Sequence, residues 1–271
     1  MQPDRASDLG HGAVNLVLVS WNGREPPLRH IRLDVPATFQ WLLFDYSGAG
    51  RRPDDLPDGT HWLSCRTHCK GEILGALVPW LRDRPDRYRY IGLIDDDVAL
   101  AVAQINAALA LAQQLGSLSF SPALHPDDLE FLPHMISQGC SSWRCVPWLE
   151  LKMSFVRADL FLAAAPFYPL SFSGYGIDCF VHPYWARVLG MEGDFHVFDH
   201  IVARNRRPHG SGSLRFPNGL TGLEEARRLH LLCLRHLCRE RPDLIVDSRV
   251  REVLRLPRAA LQDGGKSWSR S

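Results

Sequence analysis

Asp95, Asp96 and Asp97 follow directly on Tyr88–Ile94, a run of aromatic and branched residues with the composition of a buried strand. Three adjacent carboxylates at a strand end repel one another, and each is costly near a core unless a cation meets it. A divalent ion removes that cost. Alternation, continued past the strand, sends Asp95 and Asp97 to one side and Asp96 to the other, so the outer two are the expected ligand pair. Mg2+ or Mn2+ suits such a site, taking one or two carboxylates and filling its other positions with water and phosphate oxygens. The competing reading is an N-cap for a helix expected from near Val98, a role for which one aspartate suffices.

A second group lies in Ser171–Cys179, Ser-Phe-Ser-Gly-Tyr-Gly-Ile-Asp-Cys. Gly174 and Gly176 let the backbone bend and approach a ligand closely, and Asp178 falls at the expected start of a helix through Trp185. Asp178 is therefore either a helix-terminal charge or a carboxylate presented to a ligand. Trp148–Arg157 alternates as a strand would, with Glu150 and Lys152 on one face. Glu150 is a second candidate base, although an ion pair with Lys152 or Arg157 explains it as well. Strand-like Asp194–Ala203 brings Asp199 and His200. Beyond it, Arg204, Arg206, Arg207 and His209 form a basic, glycine-containing run, either a solvated loop or a contact for a diphosphate, which guanidinium groups grip through paired donors. His61, Cys65, His68 and Cys69 cluster without a common zinc spacing and read as thiols and surface histidines. Gly264-Gly265-Lys266-Ser267 lacks the first glycine and leading strand of a phosphate loop.

The elements that must hold these groups alternate. Apolar runs at Ala13–Trp21, Gln40–Tyr46 and Ser117–Leu124 read as strands, with helical spacing over Gly71–Arg82, from about Val98 to Leu115, and over Arg157–Phe167. Such alternation predicts an α/β fold with an open, mostly parallel sheet, whose ligands bind beyond the carboxyl ends of the strands. The composition, 45% hydrophobic and 23% charged with a net charge of +1, is that of a globular protein with no pull toward nucleic acid. Seven cysteines, an odd number, fit reduced thiols. Residues 1–12 are polar and lack a signal-peptide core, and no apolar run is long enough to span a bilayer, so a cytoplasmic protein is expected. Residues 222–241 form a basic amphipathic helix that either covers the core or rests on the inner face of a membrane. A frayed tail over 258–271 is expected.

Taken in order, the strand with Asp95-Asp96-Asp97, the Glu150–Phe155 segment, Gly174-Tyr175-Gly176-Ile177-Asp178 and Asp199-His200 resemble nucleotide-sugar glycosyltransferases of the GT-A fold, specifically a poorly characterised bacterial and plant group. The resemblance covers roughly Ala13 to Pro208. It implies a mixed, mostly parallel sheet flanked by helices, with a catalytic domain over 13–221 divided near residue 125 into nucleotide and acceptor halves, then a helical segment over 222–257. It further implies that Asp95 and Asp97 hold Mn2+ or Mg2+, with His200 as a further metal ligand. On the resemblance Asp45 and Asp95 would contact the nucleotide-sugar donor, joined by Asp96 and, on guanidinium chemistry, by Arg207, and Asp178 would be the base that deprotonates a hydroxyl of a glycan or lipid-linked acceptor, with inversion. Haloacid dehalogenase-type phosphohydrolases also place acids after a strand. Their motif follows the first strand and ends in Thr or Val, whereas Ala99 stands here. A catalytically silent sugar-binding protein on the same fold is the other alternative.

Overall fold

The computed structural model of the chain describes residues 14–84, 88–128, 132–139, 142–205 and 214–254. The expectations for residues 1–12, for Arg207 and for the tail 258–271 lie outside them. Two long apolar stretches are broken by short polar ones in the first third, giving β1 (Val14–Trp21), β2 (Ile31–Arg32), β3 (Gln40–Asp45) and β4 (His61–Ser64), followed by α1 (Lys70–Arg82). Next come β5 (Tyr88–Ile94), β6 (Val98–Ala101), α2 (Val102–Leu115) and β7 (Ser119–Leu124). The remainder forms β8 (Arg144–Val146), β9 (Phe155–Arg157), α3 (Ala158–Ala164), a π-helical turn at Ile177–Val181, α4 (His182–Val188), β10 (Phe195–Asn205) and α5 (Gly222–Glu240).

All ten strands join one mixed sheet in the order β2-β6-β10-β7-β9-β5-β1-β3-β4, with β8 beside β10. β4, β3, β1 and β5 run parallel, β9 is antiparallel to both β5 and β7, and β10 returns to the direction of β7. β1 is buried from Asn15 to Trp21, as a strand covered on both faces must be. Stacked rings tie the antiparallel insert into the sheet: Phe120 lies 4.7 Å from Phe155 and 5.2 Å from Phe198. From β1 the chain moves outward to β3 and β4, then returns through α1 to β5 on the other side of β1. That reversal opens a crevice between the carboxyl ends of β1 and β5, where open α/β sheets bind ligands.

Two expectations are corrected. The helix expected from Val98 starts only at Val102, with Ala101 at its N-cap and β6 interposed, so none of the three aspartates caps it. The strand expected over Trp148–Arg157 contracts to β9. Its upstream part, Leu149–Ser154, is nearly all buried and meets β5 through single backbone bonds, Leu93 N to Ser154 O at 2.8 Å and Asp95 N to Lys152 O at 3.0 Å. Continuous burial erases the two-sided alternation that a half-exposed strand would keep.

Candidate functional site

β5 ends at Ile94, and the acids that follow occupy a turn closed by Val98 N donating to Asp95 O at 3.1 Å. The alternation expected to pair Asp95 with Asp97 therefore stops, and each carboxylate meets a different environment. Asp95 is ion-paired with Lys70 Nζ, from the first residue of α1. Burial pushes the Asp95 carboxyl up, Lys70 pulls it back, and Asp97 and Asp96 push it up again, leaving it above its ordinary value. Asp96 turns toward β1 and β3: its Oδ2 accepts from the Tyr46 hydroxyl at 2.8 Å and its backbone N donates to Ser20 Oγ at 3.1 Å. Asp97 Oδ1 is buried with no hydrogen-bond partner among the described residues. An unmatched carboxylate oxygen at such a place is expensive and is the atom a cation would satisfy.

Beside the turn lies an open cleft lined by Ser20, Trp21, Asn22, Arg29, Asp95 and Asp96. Its far wall is the segment leaving β1, which local bonds hold in shape. Trp21 Nε1 donates to Glu25 O at 2.5 Å, Asn22 Oδ1 accepts from Glu25 N at 3.1 Å, and Glu25 pairs with Arg29 at 2.6 Å. Leu28, in the same wall, holds φ at 54°, a left-handed conformation that is costly for a branched side chain and persists only where surroundings enforce it.

The second informative stretch reaches the same place through α1. Gly71 has no room for a side chain, since a Cβ there would stand 1.6 Å from Ser171 O, and Gly174 abuts the Cβ of Lys70. Lys70 thus touches the glycine loop with its stem and Asp95 with its ammonium group. The loop is fastened from below by Glu225 of α5, which is fully buried and accepts from Phe172 N at 3.0 Å, Ser173 N at 2.8 Å, Ser171 Oγ at 3.2 Å and the Ser173 hydroxyl. Gly176, at φ 89°, lets this loop pass within 2.7 Å of Ala226 Cα, measured from where a Cβ would sit. Two residues on, Asp178 is the second residue of the π-helical turn and accepts from its neighbour Cys179 N at 2.7 Å. Burial pushes its carboxyl up to about 6, against the hydrogen bonds from Cys179 and Gly176.

Other expected site residues fare differently. Asp45 is fully buried, and its four acceptor positions are filled by Ser47 N (2.9 Å), Ser47 Oγ (2.6 Å), Gly50 N (2.8 Å) and Ser64 Oγ (2.7 Å). It shapes the turn after β3 and has no lone pair left for a nucleoside, which corrects the contact expected of it. His200 is exposed, and its Nδ1 contacts Ser142 O at 2.6 Å. β10 meets β6 at Arg204 and Asn205, opposite Ala99 and Val98, and its register against β7 jumps between Phe198 and Val202, which places His200 in a bulge of the strand. With Nδ1 engaged by Ser142 O, Nε2 is the nitrogen left for the metal role expected of His200, which is carried forward as a proposal. Asp199 is buried and gripped by Arg144 at 2.9 Å. Glu150 pairs with Lys152 at 3.4 Å, the plainer of its two readings. His61 and His68 engage Gln40 and Glu72 rather than each other's neighbouring thiols. Lys70, Tyr46, Ser20 and Glu225 escape sequence reading because each meets its partner across 25 to 76 residues of chain, or across 52 to 54 for Glu225.

The all-oxygen donor set of the turn, with one buried oxygen unmatched, fits a hard divalent ion such as Mg2+ or Mn2+. The mixed, mostly parallel sheet with helices on its faces is that of the GT-A fold. Among solved structures, S. aureus TarS 1-349 is similar with a TM-score of 0.55 and 12% identity, over 95% of this chain and 73% of that one. A longer S. aureus TarS structure gives a TM-score of 0.58 at 12% identity, again over 95% of this chain but 44% of that one. At this identity the likeness is one of fold. No family model and no curated protein matches the chain.

Proposed function

We propose that the chain is a metal-dependent glycosyltransferase that moves a sugar from a nucleotide-sugar donor to a hydroxyl of a glycan or lipid-linked glycan, with inversion. The observation that carries this reading is the buried Asp97 Oδ1, without a hydrogen-bond partner among the described residues, in the same turn as Asp95 and Asp96, which line the crevice at the switch point of a GT-A sheet. Asp97, with Asp95 directly or through water, would hold Mn2+ or Mg2+, which when bound would neutralise charge on the departing diphosphate. Lys70 fixes Asp95 and adds a cation on the same side. Ser20 and Tyr46 hold Asp96 and with it the shape of the turn. Asp178, with its carboxyl raised to about 6, is ionised at neutral pH yet basic enough to take a proton from an acceptor hydroxyl. The glycine loop that carries Asp178 is tied to Asp95 through Lys70, which supports placing base and donor site on one rigid frame. Arg207 remains a candidate for the diphosphate on chemistry alone.

The test is a thermal-shift series of nucleoside diphosphates with and without Mn2+, on the wild type and on Asp97→Asn. Ligands that bind only the native state raise Tm by mass action, about 2.7 kcal/mol of stabilisation at a concentration 100 times Kd. The expected outcome is a metal-dependent rise with one nucleotide that disappears in the variant. No rise with any nucleotide would move the assignment to a silent scaffold. Once a donor is known, proton NMR of the product reads the anomeric configuration, and a retained anomer would remove Asp178 from the role of base in an inverting displacement.

A further inference from the structure

At the other end of the sheet, Cys145, Asp194 and His196 converge so that one ligating atom from each lies within 4.8 Å of the other two. Strand pairing produces this. β8 runs antiparallel to the start of β10 and sets Cys145 directly opposite His196. Asp194 precedes the strand by one residue, and its carbonyl accepts from Leu118 N at 2.9 Å, which fixes the backbone. His196 is 4% exposed and its Nδ1 lies 2.7 Å from the buried Ser117 hydroxyl, which leaves Nε2 as the ligating nitrogen. A hydroxyl on the other ring nitrogen in this way orients a metal-binding imidazole. The edge of Trp143 packs on the same ring at 5.1 Å, so the imidazole is held from two sides. Arg187 pairs with Asp194 at 3.7 Å, a long contact that a bound cation would replace.

We propose that Cys145 Sγ, His196 Nε2 and the Asp194 carboxylate form a zinc site that fastens β8 to β10, distinct from the acidic turn. A thiolate, an imidazole and a carboxylate are the donor set of a borderline-soft ion and not of Mg2+ or Mn2+. Tetrahedral zinc ligands stand about 3.3–3.8 Å apart, so the present spacing closes with small side-chain movements. On binding, the Cys145 thiol releases its proton to solvent and the new bond is zinc to sulfur. The ion's charge is then balanced by the thiolate and the carboxylate, and the fourth position stays open to water. β10 begins here and runs parallel to β7, away from this end toward the crevice side, so the site and the crevice occupy opposite edges of the sheet. The test is titration of chelator-treated protein with Co2+, followed by the thiolate-to-cobalt charge-transfer absorption, on the wild type, Cys145→Ser and Asp194→Asn. The charge-transfer band, which cobalt held by the acidic turn's oxygens does not give, is expected to saturate at one equivalent per chain in the wild type, to be absent in Cys145→Ser, and to need at least tenfold more cobalt in Asp194→Asn. Both altered residues are exposed, so the fold should survive, and circular dichroism checks that it does. A wild type that binds cobalt without the band, or a band that persists in Cys145→Ser, would overturn the proposal.

Discussion

Asp97 and Asp178 present opposite problems of charge. The first has a buried oxygen with no donor, and the second is a carboxylate that burial pushes up to about 6. In the unfolded chain Asp178 titrates at its ordinary value of 3.8, so between about pH 4 and 6 the folded state binds the additional proton. Stability is therefore highest below the unfolded value, falls as pH rises toward 6, and is fully reduced above it. The cost at pH 8 is at most about 3 kcal/mol, from 1.36 kcal/mol per pKa unit. Asp178→Asn removes that cost: its Tm should exceed that of the wild type at pH 8, and the difference should vanish near pH 4. If Asp178 is the base, the same substitution should abolish turnover, and wild-type kcat/KM should fall below about pH 6. A variant more stable yet inactive separates a functional carboxylate from a helix-terminal charge, whose removal would lower stability. Asp178 can be picked out in the sequence because two glycines flag its loop, and the acidic triplet because three like charges ask for a cation. What each acid touches is not legible there. The turn at Asp95 cancels the alternation from which the ligand pair was drawn, and Lys70 reaches Asp95 from 25 residues away.

At the scale of elements, α1 and α5 position the site although neither supplies a reacting group. α1 begins at the residue that pairs with Asp95, and α5 inserts Glu225 beneath the glycine loop. The start of α5 is set by a capping box, Glu224 N to Thr221 Oγ1 at 3.2 Å and Thr221 N to Glu224 Oε2 at 2.8 Å, which holds Glu225 one residue further on in a constant direction. Glu225→Ala would strip the acceptor from Phe172 N, Ser173 N and two serine hydroxyls at once. Several buried donors left unmatched together cost about 3–5 kcal/mol. Urea unfolding should show that loss, with Glu225→Gln recovering part of it by restoring one acceptor. If the alanine variant were as stable as the wild type, the loop would not depend on α5. The apolar strands β1, β3, β5 and β7 are legible from sequence because each is buried over most of its length and carries the matching composition. β2, β6, β8 and β9 have two to four residues, too few for a period to show, and pairing with longer neighbours is what makes them strands.

Across the whole molecule, the location of α5 bears on the acceptor. Its apolar face, Ala226, Leu229, Cys233 and Leu237, is buried against the π-helical turn and core, so the covering role expected of a basic amphipathic helix holds and that face is not free for lipid. Among the described residues no helix is long and apolar enough to cross a membrane. What α5 turns outward is Arg227, Arg228, Leu231, Arg235, Cys238, Arg239 and Glu240, with Leu231 61% exposed. Arginines near an anionic surface contribute about 1 kcal/mol each, the four here opposed by Glu240, and burying one leucine adds about 2 kcal/mol. That total supports weak attachment that relies on charge, and attraction of this kind fades once the Debye length shrinks to about 8 Å near physiological ionic strength. Flotation should therefore find the protein with anionic vesicles at low salt, released by added salt, and absent from neutral vesicles throughout. Firm binding to neutral vesicles would mean that another apolar surface meets the bilayer and would favour a lipid-linked acceptor. Release by salt, joined to turnover on a water-soluble glycan, would favour an acceptor hydroxyl presented from solution to the crevice between β1 and β5.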